Sequence, residues 1–134
     1  MTHDNLKMMR TIFDWSEGLV NAGKQVTRAQ IEGFFAPDAR MITNGELKCA
    51  GHDKLLKHFQ ELQQRFKDIK IGDLTHTVAQ ESRAAAAYEI NFHLIDGRAG
   101  TVCTGVFWEF DRGRVREILE YVFFKDAEVV MLNH

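Results

Sequence analysis

Proton transfer is the chemistry that the side chains of this sequence are best suited to perform, and few positions qualify. Glu120 lies in the alternating run Ile118-Leu119-Glu120-Tyr121-Val122-Phe123-Phe124, which puts it in one row with Ile118, Val122 and Phe124. Glu117, three positions earlier on the same run, points to the opposite face, so the two carboxylates cannot act as a pair. Upstream, Glu89, Asn91 and His93 alternate with Tyr88, Ile90, Phe92 and Leu94. A histidine and a carboxylate suit proton transfer, and an amide can orient a carbonyl or a water. The six histidines show no metal-ligand spacing of the His-x-x-x-His kind, and Cys49 and Cys103 add none. There is no glycine-rich phosphate loop and no nucleophile elbow. A metal, nucleotide or covalent mechanism is therefore disfavoured, and no cofactor is expected. His52 beside Gly51 reads as the opening of a helix, His76 could face either way, and Tyr121 and Trp15 read as packing residues.

The elements that must position these groups follow from periodicity. Leu6, Met9, Phe13 and Val20 recur at helical spacing, and Asn21-Ala22-Gly23 supplies a stop. Thr27-Arg28-Ala29-Gln30 has the form of a capping box, predicting a short second helix that buries Ile31, Phe34 and Phe35 and ends before Pro37. Asn44-Gly45 between apolar runs predicts a short hairpin. A third helix carries Leu55, Leu56, Phe59, Leu62 and Phe66 on one face, with Lys54, Lys57, His58 and Arg65 read as its solvated face. Four long strands follow over 69–78, 84–95, 101–110 and 115–124, broken at Glu81-Ser82, Asp96-Gly97 and Asp111-Arg112-Gly113. Gly72, where the apolar phase slips, suggests a bulge.

With 134 residues, one domain spanning 1–134 is expected. Its 45% hydrophobic and 27% charged content is that of an ordinary globular chain, and a net charge of −2 gives no electrostatic reason to expect nucleic acid or an anionic membrane as partner. Free thiols, a polar start at Met1-Thr2-His3-Asp4-Asn5 and no apolar run of membrane-spanning length together predict a cytoplasmic protein. The predicted fold is α+β, with three N-terminal helices packed on a curved, mostly antiparallel six-stranded sheet.

That order of elements resembles the nuclear transport factor 2-like superfamily, particularly its SnoaL-like (polyketide cyclase-like) branch. The residues that carry the resemblance are Phe35-Ala36-Pro37-Asp38-Ala39 before the first strand, Gly51 before the third helix, and Phe110-Asp111 with Gly113-Arg114-Val115 leading to Glu120-Tyr121. The resemblance implies a cone-shaped barrel with a mostly apolar cavity and an outer sheet face often used for dimerisation. It covers isomerases, dehydratases, cyclases, epoxide hydrolases and non-catalytic proteins, so fold alone does not name a reaction. The ketosteroid isomerases of that superfamily place a base late in the first strand and an acid in the penultimate one. Matched onto this chain, those positions hold Thr43 and Val106, with Trp15 and Ser16 near the place of a tyrosine donor. Threonine is no base near neutral pH and valine has no proton to give, which argues against that chemistry.

The same register implies that Ile118, Glu120, Val122 and Phe124 face the cavity, beside Thr104, Val106, Trp108 and Phe110 of the neighbouring strand. A lone carboxylate in such a wall loses solvation and its pKa rises, as suits a general acid or base. The alternative is that Glu120 pairs with an arginine or lies at a wet mouth. For 84–95, burial logic turns Tyr88, Ile90, Phe92 and Leu94 inward, whereas the resemblance implies that Glu89, Asn91 and His93 line the cavity. Taking the latter, the expected site has Glu120 and His93 as catalytic groups and Asn91 as a polar orienter. Thr43, Trp108, Thr104, Val106, Ile118, Val122 and Phe13 form the binding walls. The expected ligand is a small apolar molecule. The expected partner is a second copy of the chain, packed through apolar outer rows that would be large for a monomer. A non-catalytic binding or association module, and a scaffold whose cavity is filled by Phe13, Phe59, Trp108 and Phe124, are the competing readings.

Overall fold

The apolar stripe of the first helix, α1 (Thr2–Asn21), lies against a curved sheet in the computed structural model, which describes residues 2–125. Met9, Ile12, Phe13, Leu19 and Val20 are buried there. The helix's polar flank clamps the sheet's free edge. Asn21 accepts from the Ile69 amide and donates to its carbonyl, each at 2.8 Å, Glu17 accepts from the Ile71 amide, and Arg10 donates to the Gly72 carbonyl. An edge strand so engaged has fewer open backbone groups to offer another chain.

Helix α2 (Arg28–Phe34) begins with the predicted capping box: the Gln30 amide donates to the Thr27 hydroxyl, and the Thr27 amide to the Gln30 side chain. It leads directly into β1 (Phe35–Thr43), with Pro37 in an irregular stretch between the Phe35 and Arg40 pairings. Strand β2 (Glu46–Ala50) returns after a two-residue turn in which Asn44 and Gly45 both have positive φ, as a tight hairpin of this hand requires. Helix α3 (His52–Arg65) follows and buries Leu55 and Phe59.

Two strands then stand where sequence periodicity predicts one. β3 (Phe66–Ile71) and β4 (Thr75–Ala79) both pair with β5 (Arg83–Leu94). Between the Ile71–Ile90 and Thr75–Ala87 pairs the chain takes four steps against three on β5. That extra residue breaks the ladder at Gly72, whose amide still donates to the Glu89 carbonyl at 2.8 Å. Glycine suits the spot, since a Cβ there would sit 3.3 Å from that carbonyl oxygen. The expected bulge is thus a full interruption, and the sheet has seven strands rather than six.

Long β6 (Ala99–Asp111) and β7 (Arg114–Phe124) complete the sheet in the order β2-β1-β7-β6-β5-β3, with β4 also on β5. Every pairing is antiparallel except β1 with β7. The expected α+β class, with three helices on a curved and mostly antiparallel sheet, is what the chain adopts. The sheet is an unclosed cone, ending at β2 on one side and at β3 on the other. Among the described residues no helix is long and apolar enough to cross a membrane.

The main core fills the space between α1, α3 and the inner sheet face, with Val106, Val115, Phe35 and Ile31 at or near zero exposure. Each large apolar side chain buried in this way stabilises the fold by about 1.5–3 kcal/mol. A smaller cluster of Phe92 and Val102, with Phe66 and Phe124 packed on it, lies at the other end of the inner face.

Candidate functional site

Inside the cone is a cavity of about 200 Å³. Ile12, Phe13, Ser16 and Val20 of α1 form one wall, and His58, Phe59 and Leu62 of α3 another. The sheet contributes Met41, Ile69, Ile71, Tyr88, Ile90, Trp108, Ile118 and Glu120, and Phe66 completes the lining. Phe13 packs against both Tyr88 and Trp108, with ring centroids 4.8 and 5.2 Å apart. These rings shape the walls without filling the space, and Phe124, expected as a plug, belongs to the smaller cluster.

Glu120 reaches this cavity because β7 is held on both sides. Its backbone pairs with Thr43 of β1 and Val106 of β6. The Thr43 hydroxyl donates to Glu120 Oε1 at 2.8 Å. Just beyond Thr43, Asn44 extends the parallel ladder: its amide donates to the Glu120 carbonyl at 2.9 Å, and its side chain accepts from the Val122 amide and donates to the Val122 carbonyl. The turn residue therefore fixes the two strands that carry the hydroxyl and the carboxylate. Removal from water raises the Glu120 pKa above the ordinary glutamate value, against smaller lowering effects of the Thr43 hydrogen bond and Lys48. Burial, with a contribution from the Glu120 charge, likewise raises the Tyr88 hydroxyl and the Cys49 thiol.

A second titratable group faces the same space. His58 of α3 has its pKa lowered, chiefly by burial, with Glu61 raising it and Arg65 lowering it. The sequence pattern groups it with Lys54 and Lys57 on a solvated helix face. Lys54 and Lys57 are indeed exposed, but His58 is three residues after Leu55 and four before Leu62, on the apolar stripe. That spacing was the signal that could have found it.

The expected partner of Glu120 is displaced. The His93 side chain is 55% exposed on the outer face, where Nδ1 lies 2.8 Å from Asp68 Oδ1. Asn91 is also outside, accepting from the Thr101 hydroxyl at 2.6 Å, and Glu89 pairs with Lys125. The cause is register. Residues directly opposite in a ladder share a face, and Tyr88 pairs with Thr104, whose row is inward. Burial logic thus held for β5, and the resemblance-based inward placement of Glu89, Asn91 and His93 does not. Distance separates them too: Glu120 is opposite Val106, which is opposite Ala86, and His93 lies seven positions along β5, roughly 23 Å by strand rise.

Of the other expected wall residues, Phe13, Trp108 and Ile118 line the cavity and Thr43 touches it through Glu120. Thr104 and Val106 are buried in the inner row of β6 but are not part of the lining, and neither is Val122, whose backbone takes the Asn44 clamp. Among the described residues no group of three or more His, Cys, Asp or Glu is arranged to hold a metal ion. His52 Nε2 lies 2.9 Å from the Phe35 carbonyl, tying the first residue of α3 to the start of β1.

The family model of the SnoaL-like domain matches residues 15–118, most of the chain. This chain belongs to the SnoaL-like family. Its fold is shared with a protein from Jannaschia sp. CCS1, provisionally named a SnoaL-like polyketide cyclase, at TM-score 0.74 and 14% identity, covering 97% of this chain and 90% of that one. A protein from Kribbella flavida DSM 17836, provisionally named a ketosteroid isomerase, superposes at TM-score 0.65 with 20% identity, covering 94% and 81%. An NTF2-like protein from Anabaena variabilis ATCC 29413 superposes at TM-score 0.72 with 13% identity, covering 92% and 91%. Identities this low show the common SnoaL-like fold and nothing finer. No curated protein matches the chain.

Proposed function

We propose that this SnoaL-like protein binds a small, largely apolar molecule in its cone and moves a proton on it without a cofactor, with Glu120 as the acid or base. The observation that carries the reading is the setting of Glu120. It is a carboxyl group on an apolar wall, held by one neutral donor and shifted toward protonation at higher pH by its burial. A group poised in this way can give or take a proton near neutral pH more readily than a solvated glutamate. His58 takes the partner role expected of His93, since it faces the same cavity and burial favours its neutral, proton-accepting form. Isomerisation, dehydration, aldol-type cyclisation and hydrolysis can each be run by acid–base groups of this kind. Glu120→Gln keeps the size and hydrogen-bonding capacity of the group and removes its proton chemistry. Turnover should then fall by about 10²–10⁴-fold while ligand binding persists. Turnover that survives the substitution would remove Glu120 from the chemistry, whereas a parent chain that binds its ligand in the cavity and turns nothing over would favour the second reading, a binding module without catalysis.

The outer sheet face supports a homodimer. Phe107, Tyr121 and Phe123 are 55%, 49% and 64% exposed on adjacent strands, with Val78 exposed beyond them. Pairs of both charge signs flank this strip, Arg116 with Glu109 and Lys125 with Glu89. A two-fold interface sets one patch against its own copy, so mixed charge at its edges is self-complementary.

A further inference from the structure

Size, wall chemistry and the placing of polar atoms restrict what the cavity can hold. At about 200 Å³ it is only modestly larger than a 150 Å³ apolar cavity that accepts benzene, so it has room for about eight non-hydrogen atoms. A four-ring skeleton needs roughly twice that room or more. No lysine or arginine lines it, so an anionic ligand finds no counter-charge on its walls. A cation would be stripped of water among Ile12, Val20, Leu62 and Ile69, and Glu120, the one carboxyl group it could meet, is held toward its neutral form by the same burial. Two of the polar groups, Glu120 and Tyr88, fall together. Ser16 already donates to the Phe13 carbonyl at 3.0 Å, which leaves Glu120, Tyr88 and His58 to meet a ligand, together with the lining residue Trp108, whose buried Nε1 has no hydrogen-bond partner. Glu120 and Tyr88 lie close enough for the charge of one to act on the other.

We infer that the cavity takes an uncharged, single-ring molecule bearing one carbonyl or hydroxyl group, its ring against Phe13 and Trp108 and its oxygen turned toward Glu120 and Tyr88. This rests on the cavity being the functional site and narrows its substrate class, away from the multi-ring compounds that the names of structural relatives bring to mind.

A methyl NMR titration of the full chain at neutral pH tests it with four probes: cyclohexanone, cyclohexylammonium, cyclohexanecarboxylate and a four-ring steroid ketone. Cyclohexanone should shift the methyls of Ile12, Val20, Met41, Leu62 and Ile118. Each charged probe should bind at least tenfold more weakly, and the steroid should leave those methyls unmoved. The inference is overturned if cyclohexanone does not reach them, if either ion binds as tightly, or if the steroid occupies the cavity. Repeating the cyclohexanone titration with Glu120→Gln separates this from the proton-transfer reading. Binding retained within threefold, with the effect of Glu120→Gln on turnover absent, refutes the chemistry and leaves the ligand class standing.

Discussion

Glu120 and His58 pull the pH dependence of stability in opposite directions. The Glu120 pKa is raised in the fold by burial, so the folded chain holds that proton more tightly than the unfolded chain does. Its contribution to stability is therefore fully present below the ordinary glutamate value and is lost as pH rises through the folded value. His58, lowered by burial, works the other way: its penalty is absent above the ordinary histidine value and grows as pH falls below it. The groups acting on Glu120 are Thr43 and Lys48, with Tyr88 and Cys49 in its field, and those acting on His58 are Glu61 and Arg65. Glu120→Gln should remove the loss on the alkaline side, so chemical denaturation should show the variant gaining on the parent as pH rises from 4 to 8. A constant difference over that range would contradict the burial of Glu120. The carboxylate itself was legible from its alternation with Ile118, Val122 and Phe124. His58 was obscured by the lysines beside it, although its place on the Leu55–Leu62 stripe marked it as inward.

At the scale of elements, the site depends on strands that are far apart in sequence. The parallel β1–β7 contact brings Thr43 to Glu120, and Asn44 makes that contact continue past the end of the strand. Asn44 was legible only as half of a turn signal; its second role needs β7 beside it, which no local pattern encodes. Asn44→Ala removes two side-chain hydrogen bonds to Val122 and should cost about 1–2 kcal/mol in denaturant unfolding. Through the loosened Thr43 contact it should also move the Glu120 carboxyl further upward. The β5 row shows the converse limit. Its two faces are plain in sequence, but choosing between them required the partner strand, because a one-residue slip exchanges inside and outside. Once β6 is in place, the Tyr88–Thr104 pair decides it. The capping box of α2 and the Asn44-Gly45 hairpin are local, and both stand where sequence predicts them.

At the scale of the molecule, the order of helices and strands is enough to make the α+β cone recognisable, because short turns between long amphipathic strands leave few other arrangements. The irregularity at Gly72 was legible as a slip of apolar phase, but the full division into β3 and β4 was not, because one extra residue leaves the alternation on either side intact. The outer face is less apolar than the sequence suggested. With Tyr88, Ile90 and Phe92 turned inward, the exposed strip is confined mainly to Phe107, Tyr121 and Phe123 on β6 and β7. A dimer formed through this strip should sediment at twice the chain mass, and Phe123→Glu should return it to the monomer mass with little change in thermal stability. A parent protein that sediments as a monomer at high concentration would contradict the homodimer.

The account turns on the state of one carboxyl group. Carbon-13 NMR of the Glu120 side chain, followed through a pH titration of the unliganded protein, measures it directly. The account predicts a midpoint clearly above that of the exposed glutamates in the same spectrum, rising further when Thr43→Val removes the hydroxyl that favours the ionised form. A midpoint in line with the exposed glutamates would mean that Glu120 is solvated, and the cone would then hold no group poised for proton transfer on its sheet wall.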